Sequence, residues 1–126
     1  MNFNELRDTC HTQATKAGFW NNPTTLLEHT NGQHHHTIHQ LILGQKIALM
    51  QSELSEALEA GRDGHDPADM WYGDNGKPEG IPSELADTII RILDYCGWAG
   101  IDIHDAILEK LAYNRRKRSH LHGREF

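Results

Sequence analysis

MQSELSEALEAG, residues 50–61, repeats its apolar residues every three to four positions, the period of a helix with one buried stripe. The pattern extends back to about Thr37 and forward to Ala60, with Gly61 as the expected stop. At about 100° per residue, Leu43, Ile47, Met50, Leu54, Ala57 and Leu58 fall on one face, the expected core stripe. Gln51, Ser55, Glu59 and Arg62 form the expected wet face. Glu53 and Glu56 belong to neither. They share a third sector with Ile42, Lys46, Leu49 and Ala60, so two carboxylates stand at the edge of an apolar strip. Isolated buried carboxylates are costly, and a cation must answer them. Lys46 could serve Glu53 within the same helix.

The remaining chain reads as further helices around this one. Residues 3–17 suit a short helix ending at Gly18, and Pro23 is expected to close off any continuation. Residues 21–36 are polar and turn-rich. Residues 61–82, GRDGHDPADMWYGDNGKPEGIP, carry five glycines and three prolines and read as one long loop. A helix from the N-cap Ser83 to Cys96 follows, ending before Gly97. The last helix begins near Asp102, with Asp105 in capping-box position, and runs to about Lys117. No stretch reads as a strand. The expectation is an all-α fold: a small bundle of about four helices with a long loop between the second and third. At 126 residues it is a single domain, 1–126.

The third helix repeats the acidic spacing. SELADTIIRILDYCGW puts Leu85, Ile89, Ile92, Leu93 and Cys96 on one side and Glu84, Asp87, Arg91 and Asp94 on the other. Acids in a first turn also suit the positive helix end, and Lys46 or Arg91 could reduce each pair to an ordinary ion pair. Two such pairs on neighbouring helices are different, because bundles build metal sites from facing side chains. Four carboxylates brought together cannot all stay ionised without a cation. All-oxygen ligation suits Mg²⁺, with Mn²⁺ as the alternative. In the last helix Ile103, Ile107, Lys110 and Asn114 share a face, so a lysine and an asparagine take positions expected to point inward. The run Arg115–Arg118 follows, either a solvated tail or a phosphate clamp.

In this order and spacing, Glu53-x-x-Glu56, Glu84-x-x-Asp87 and Lys110-x-x-x-Asn114 resemble the MazG-like all-α nucleoside triphosphate pyrophosphohydrolases. AGFWNNP, SELSEALEAGRDG, GKPEGIPSELADTIIRILDYCG and EKLAYNRRKRSHLHGREF resemble the bacterial and phage subgroup. The resemblance implies Mg²⁺-dependent hydrolysis of a nucleoside triphosphate to monophosphate and pyrophosphate, a nucleotide house-cleaning role. It implies a homodimer or dimer of dimers with sites completed across subunits. It makes Glu53, Glu56, Glu84 and Asp87 metal ligands, with Glu53 or Glu56 also orienting or deprotonating the attacking water. Lys110 and Asn114 would contact phosphates or sugar, and Lys46, Trp20 and Arg118 complete the candidate substrate set. Lys117 stands where the subgroup often carries an arginine, and the HTNGQHHHTIHQ segment departs from it.

Composition sets the remaining expectations. A formal charge of −6 argues against a polymeric nucleic-acid partner. Two distant cysteines, Cys10 and Cys96, suit a reducing compartment, and no apolar run suits a signal peptide or membrane span, so the expected location is cytoplasmic. Two other readings compete. One is a non-catalytic nucleotide- or partner-binding protein of the same fold. The other is a transition-metal binder using His34, His35, His36 and His39, in which His35 and His39 lie one helical turn apart. Trp20, Trp71, Tyr72 and Trp98 are the aromatic candidates for base stacking, with Trp71 and Tyr72 placed for a lid or a dimer contact.

Overall fold

Asn2 accepts a hydrogen bond from the Glu5 amide at 2.9 Å and so caps the first helix, α1 (Phe3–Lys16), which breaks at Gly18 with φ +88. The computed structural model describes residues 1–120, with side chains to residue 117. Among these, α1 is followed by α2 (Asn21–His29), α3 (His35–Arg62), α4 (Ile81–Ala99) and α5 (Ile103–His120). A two-stranded antiparallel hairpin, β1 (Trp71–Tyr72) and β2 (Pro78–Glu79), lies between α3 and α4, with Trp71 opposite Glu79. The protein is therefore mostly helical.

Several expected boundaries shift for identifiable reasons. Pro23 does not end a helix; it is the third residue of α2, where its missing N–H would find no helical partner anyway. That adds a fifth helix where a polar turn was expected. The turn lies instead at residues 30–34, where Asn31, Gly32 and His34 take left-handed backbone angles. Gly61 is inside α3, which ends at Asp63. The long loop is not featureless, because Asp74–Gly76 turns the chain and Gly73 N–H donates to the Lys77 carbonyl at 2.9 Å. Ser83 is not the N-cap of α4; Gly80 is, and the Ser83 hydroxyl donates to the Pro78 carbonyl at 3.0 Å. Gly97 lies within α4, which stops at Gly100 with φ +70.

α3 and α4 run antiparallel and form the spine, because Glu53 meets Arg91 while His39 meets Trp98. α1 packs across α4 through Cys10 and Ala14, both buried. The core is an aromatic and aliphatic knot of Ala14, Trp20, Ile38 and Ile42, with Leu27, Tyr95 and Trp98 against it. Side-chain hydrogen bonds between α1 and the start of α5 dock this helix. Asn4 Nδ2 donates to Asp102 at 2.8 Å, the His104 amide donates to Asn4 Oδ1 at 3.2 Å, and Arg7 donates to the Ile101 carbonyl at 2.7 Å. Cys10 and Cys96 are both buried free thiols. No described helix is long and apolar enough to cross a membrane.

The expected apolar stripes of α3 and α4 are only partly covered: Met50, Leu93 and Cys96 are buried as expected, and most of the remainder is exposed. Ile42, Met50 and Glu53 are buried, while Leu43, Ile47, Leu54 and Leu58 of the expected core stripe are exposed. On α4 the acidic side turns inward, with Asp94 buried, and Leu85, Ile89 and Ile92 are exposed. The helical period was legible; which of two apolar sectors the protomer itself covers was not.

A Cβ on Gly97 would lie 2.5 Å from His11 Cβ, so glycine is what lets α1 approach α4. Gly97→Ala is expected to destabilise the fold by about 1–3 kcal/mol through overpacking. Urea unfolding checks this, and an unchanged midpoint would contradict the close approach.

Candidate metal centre

The inward turn of both acidic faces places Glu53, Glu84 and Asp87 so that one carboxylate oxygen from each lies within 4.8 Å of the others. Glu53 is buried and Glu84 and Asp87 are half-buried. Helical geometry accounts for the convergence: residues three apart share a face, and antiparallel α3 and α4 bring the two pairs opposite each other. Glu56 is the outermost of the four, exposed at the rim of a cavity of about 430 Å³ that Glu84, His65, Trp71 and Lys77 also line.

The cation that answers Glu53 is Arg91, not Lys46. Arg91 Nε donates to Glu53 Oε1 at 2.8 Å, one helical turn past Asp87. One guanidinium against four carboxylates leaves the cluster strongly negative. Glu84 shows the consequence: burial first, then the carboxylates of Glu56 and Glu53, push its carboxyl up from 4.5 to about 7. Asp87 is raised too, by burial and then by Glu53, with Arg91 and Lys77 pulling the other way. Glu84 Oε2 is enclosed and has no hydrogen-bond partner among the described residues. A buried carboxylate oxygen without a donor is costly, and a hard divalent cation with oxygen preference satisfies it.

A second cavity, of about 300 Å³, opens on the other side of Arg91 and is lined by Asn22, Gln45, Lys46, Asp94 and the apolar Phe19 and Leu49. Lys46 therefore lies in a cavity near the acids without pairing to them. Burial lowers its pKa, with Asp94 opposing that shift. Its ammonium stands 4.2 Å from the centre of the Trp20 ring. Trp20 itself is only 3% exposed, stacks on Trp98 at 4.9 Å and donates from Nε1 to Asp94 at 2.8 Å. Both its faces are taken, so within this chain it is core and not a platform for a base. The indole N–H needed a buried acceptor, and Asp94 supplies it.

The last helix does not bring its candidates to the acids. Lys110 and Asn114 are exposed, and the Lys110 ammonium lies 5.2 Å from the Tyr113 ring in a shallow cavity formed by α5 alone. The expected inward face holds only in part, with Ile103 and Ile107 half-buried and Lys110 and Asn114 exposed. The Arg118 side chain lies outside the described residues. The candidate histidines His34, His35, His36 and His39 do not join the acids; His65 lines the cavity beside Glu56 and Glu84. His35 and His39 stack at 4.0 Å, and His39 continues onto Trp98 at 4.7 Å. No histidine belongs to the metal-compatible group among the described residues.

Arg91 was expected as an ion-pair partner one turn beyond Asp87 and pairs instead with Glu53, while Asp94, Lys77, Asn22 and Gln45 had no expected role. The spacing Glu84, Asp87, Arg91, Asp94 was the available signal. Nothing local marks Asn22 or Gln45, which meet only because α2 folds back on α3. No family model, curated protein or solved structure matches this chain.

Folding raises the Glu84 pKa, so the folded chain holds that proton more tightly than the unfolded chain. In the metal-free protein this group's stabilisation is present below about 4.5 and is lost as pH rises towards 7. Glu84→Gln is expected to remove that loss, melting higher than wild type at pH 8 and close to it at pH 4. Parallel melting profiles of the two proteins across this range would contradict the crowding of the carboxylates.

Proposed function

We propose that this protein hydrolyses nucleoside triphosphates to monophosphates and pyrophosphate with Mg²⁺, as its resemblance to MazG-like pyrophosphohydrolases implies. The observation that carries the reading is the convergence of Glu53, Glu84 and Asp87 across two antiparallel helices, with one oxygen of Glu84 sealed and unpartnered. Acids that raise one another's pKa are an expense for a structural ion pair and an asset for a cation site. Glu53, Glu84 and Asp87 would hold Mg²⁺, with Mn²⁺ acceptable to the same oxygen donors. A cation held there would supply charge neutralisation at the phosphate oxygens and acidify a neighbouring water.

The protein's own groups divide the remaining work. Arg91 fixes Glu53, so Glu53 is a held ligand rather than a mobile base. Glu56, exposed at the rim and free to move, takes the proton of the attacking water. Water oxygen bonds to the α-phosphorus, the bond to the bridging oxygen breaks, and pyrophosphate departs with the electron pair. Lys46 offers a cation to the phosphates from the adjoining cavity.

The protomer leaves two apolar sectors without cover: Leu43, Ile47, Leu54 and Leu58 on α3, and Leu85, Ile89 and Ile92 on α4. Leu108 and Leu111 on α5 are exposed as well. Monomers rarely expose contiguous apolar patches larger than a few hundred Å², and a second copy of the chain is the occupant the resemblance implies. In such a dimer α5 reaches away from its own acids, and Lys110 and Asn114 serve the partner's site.

Asp87→Asn or Glu53→Gln is expected nearly to abolish Mg²⁺-dependent turnover of a nucleotide panel while the protein stays folded by circular dichroism. Wild-type turnover at saturating Mg²⁺ in either variant would remove the assignment. Lys110→Met is expected to lower kcat/KM about tenfold to hundredfold, the loss of one charge-assisted contact, with Mg²⁺ affinity of the nucleotide-free protein unchanged. Unchanged kcat/KM would take Lys110 out of the site. Light scattering is expected to give a dimer or larger, and a stable monomer at micromolar concentration would contradict the covered apolar faces.

A further inference from the structure

Asp94 is a carboxylate that the reaction does not use, yet it is held with unusual firmness. It is only 8% exposed. Trp20 Nε1 donates to its Oδ1 at 2.8 Å, and His11 Nδ1 lies 2.9 Å from the same oxygen. A carboxylate only accepts, so the fitting His11 form carries its proton on Nδ1. Both bonds fall on Oδ1. Oδ2 takes none among the described residues, and it is not among the enclosed unpartnered atoms, which are His39 Nε2 and Glu84 Oε2. One oxygen is thus pinned by two bonds, the other takes none, and the residue lines the 300 Å³ cavity with its side chain 11% exposed.

The position of Asp94 relative to the acids limits what it can meet. Asp94 lies seven residues beyond Asp87 on the inward side of α4, about 10 Å along the axis at 1.5 Å per residue. Arg91 stands between them, bound to Glu53, and Lys46 faces the same cavity from α3. A nucleotide whose phosphates lie at the acidic end and beside these two cations carries its base towards Asp94. The lining there suits a base: Phe19, Pro23 and Leu49 offer apolar surface, and Asn22 and Gln45 offer carboxamides.

We propose that Asp94 is a specificity-determining residue, its unbonded oxygen accepting a hydrogen bond from an exocyclic amino group of the base, so that the preferred substrates are amino-bearing nucleotides. The inference rests on the pyrophosphohydrolase reading and names its substrate class. Two acceptors cannot satisfy each other. A base with a carbonyl where the amine would be therefore meets Oδ2 acceptor to acceptor, leaving both unpaired. Neither the neighbouring carboxamides nor the apolar wall removes that mismatch, because Asp94 cannot swing away while Trp20 and His11 hold Oδ1.

The test compares pairs differing only at that group, dCTP with dUTP and dATP with dITP, by turnover and by equilibrium binding to the Mg²⁺-loaded protein. Wild type is expected to favour the amino member of at least one pair about tenfold to hundredfold, the scale of one unmet buried hydrogen bond. Asp94→Asn keeps an oxygen for Trp20 and is expected to collapse that ratio, with the amino member losing more than the oxo member. Equal kcat/KM and equal affinity within both pairs in wild type would overturn the proposal, whether or not the variant folds. An equal loss for all four nucleotides in the variant would overturn it too, reducing Asp94 to an anchor for Trp20. So would a preference that follows the sugar, read from CTP and dideoxy-CTP against dCTP, because it would assign Oδ2 to a hydroxyl. A retained amino preference in binding with no turnover of any nucleotide would contradict the hydrolase reading alone.

Discussion

The contact between Glu53 and Arg91, 2.8 Å across α3 and α4, is the constraint that everything around it answers to. Two helices that each present acids every three residues repel when those faces meet. One guanidinium in the seam lets them pack, and its bond fixes the helices in register. That register determines which carboxylates converge, leaves one oxygen of Glu84 without a donor, and opens a cavity on each side of the seam. Among the described residues, Arg91 and Lys77 offset only part of the remaining negative charge. It is the kind of imbalance a protein keeps when a cation is part of its working form.

The same register explains the partly exposed apolar stripes. With the acids turned inward, Leu43, Ile47, Leu54 and Leu58 of α3 and Leu85, Ile89 and Ile92 of α4 face outward, while Met50, Leu93 and Cys96 stay buried. The buried hydrophobic residues described are Cys10, Ala14, Trp20, Ile38, Ile42, Met50, Leu93 and Cys96. That is a small core for a chain of 126 residues. In the proposed dimer, stability would be tied to association, and a site that draws α5 from a second copy would form only when that copy is present. Dimerisation and activity would then share one surface.

Much of this was legible in the sequence, and the failures have physical causes. α1, α3, α4 and α5 announce themselves through helical periodicity, and the paired acids follow from spacing alone. α2 was hidden because Pro23 reads as a terminator unless one sees that it falls in a first turn. The hairpin was hidden because two-residue strands have no period to detect. Gly97 reads as a helix end, yet its purpose is to admit His11, a contact 86 residues away in the chain. Hydrophobic patterning finds apolar faces but cannot distinguish a face covered by the same chain from one covered by another. Leu43, Ile47, Leu54 and Leu58 are accordingly exposed where a core stripe was expected, and Lys110 is exposed where an inward position was expected. Trp20 and Asp94 illustrate the reverse: each looked separable, and their meaning lies in the bond between them.

The central claim is that the seam between α3 and α4 holds a divalent cation through Glu53, Glu84 and Asp87. Anomalous diffraction from crystals grown with Mn²⁺ tests it most directly, because the ion is then seen and not inferred from activity. The account predicts a peak bounded by these three carboxylates, with oxygen distances of about 2.0–2.6 Å, that disappears in Asp87→Asn. A Mn²⁺ peak elsewhere on the chain, at the histidines for example, or no ordered ion at all at millimolar Mn²⁺, would contradict it.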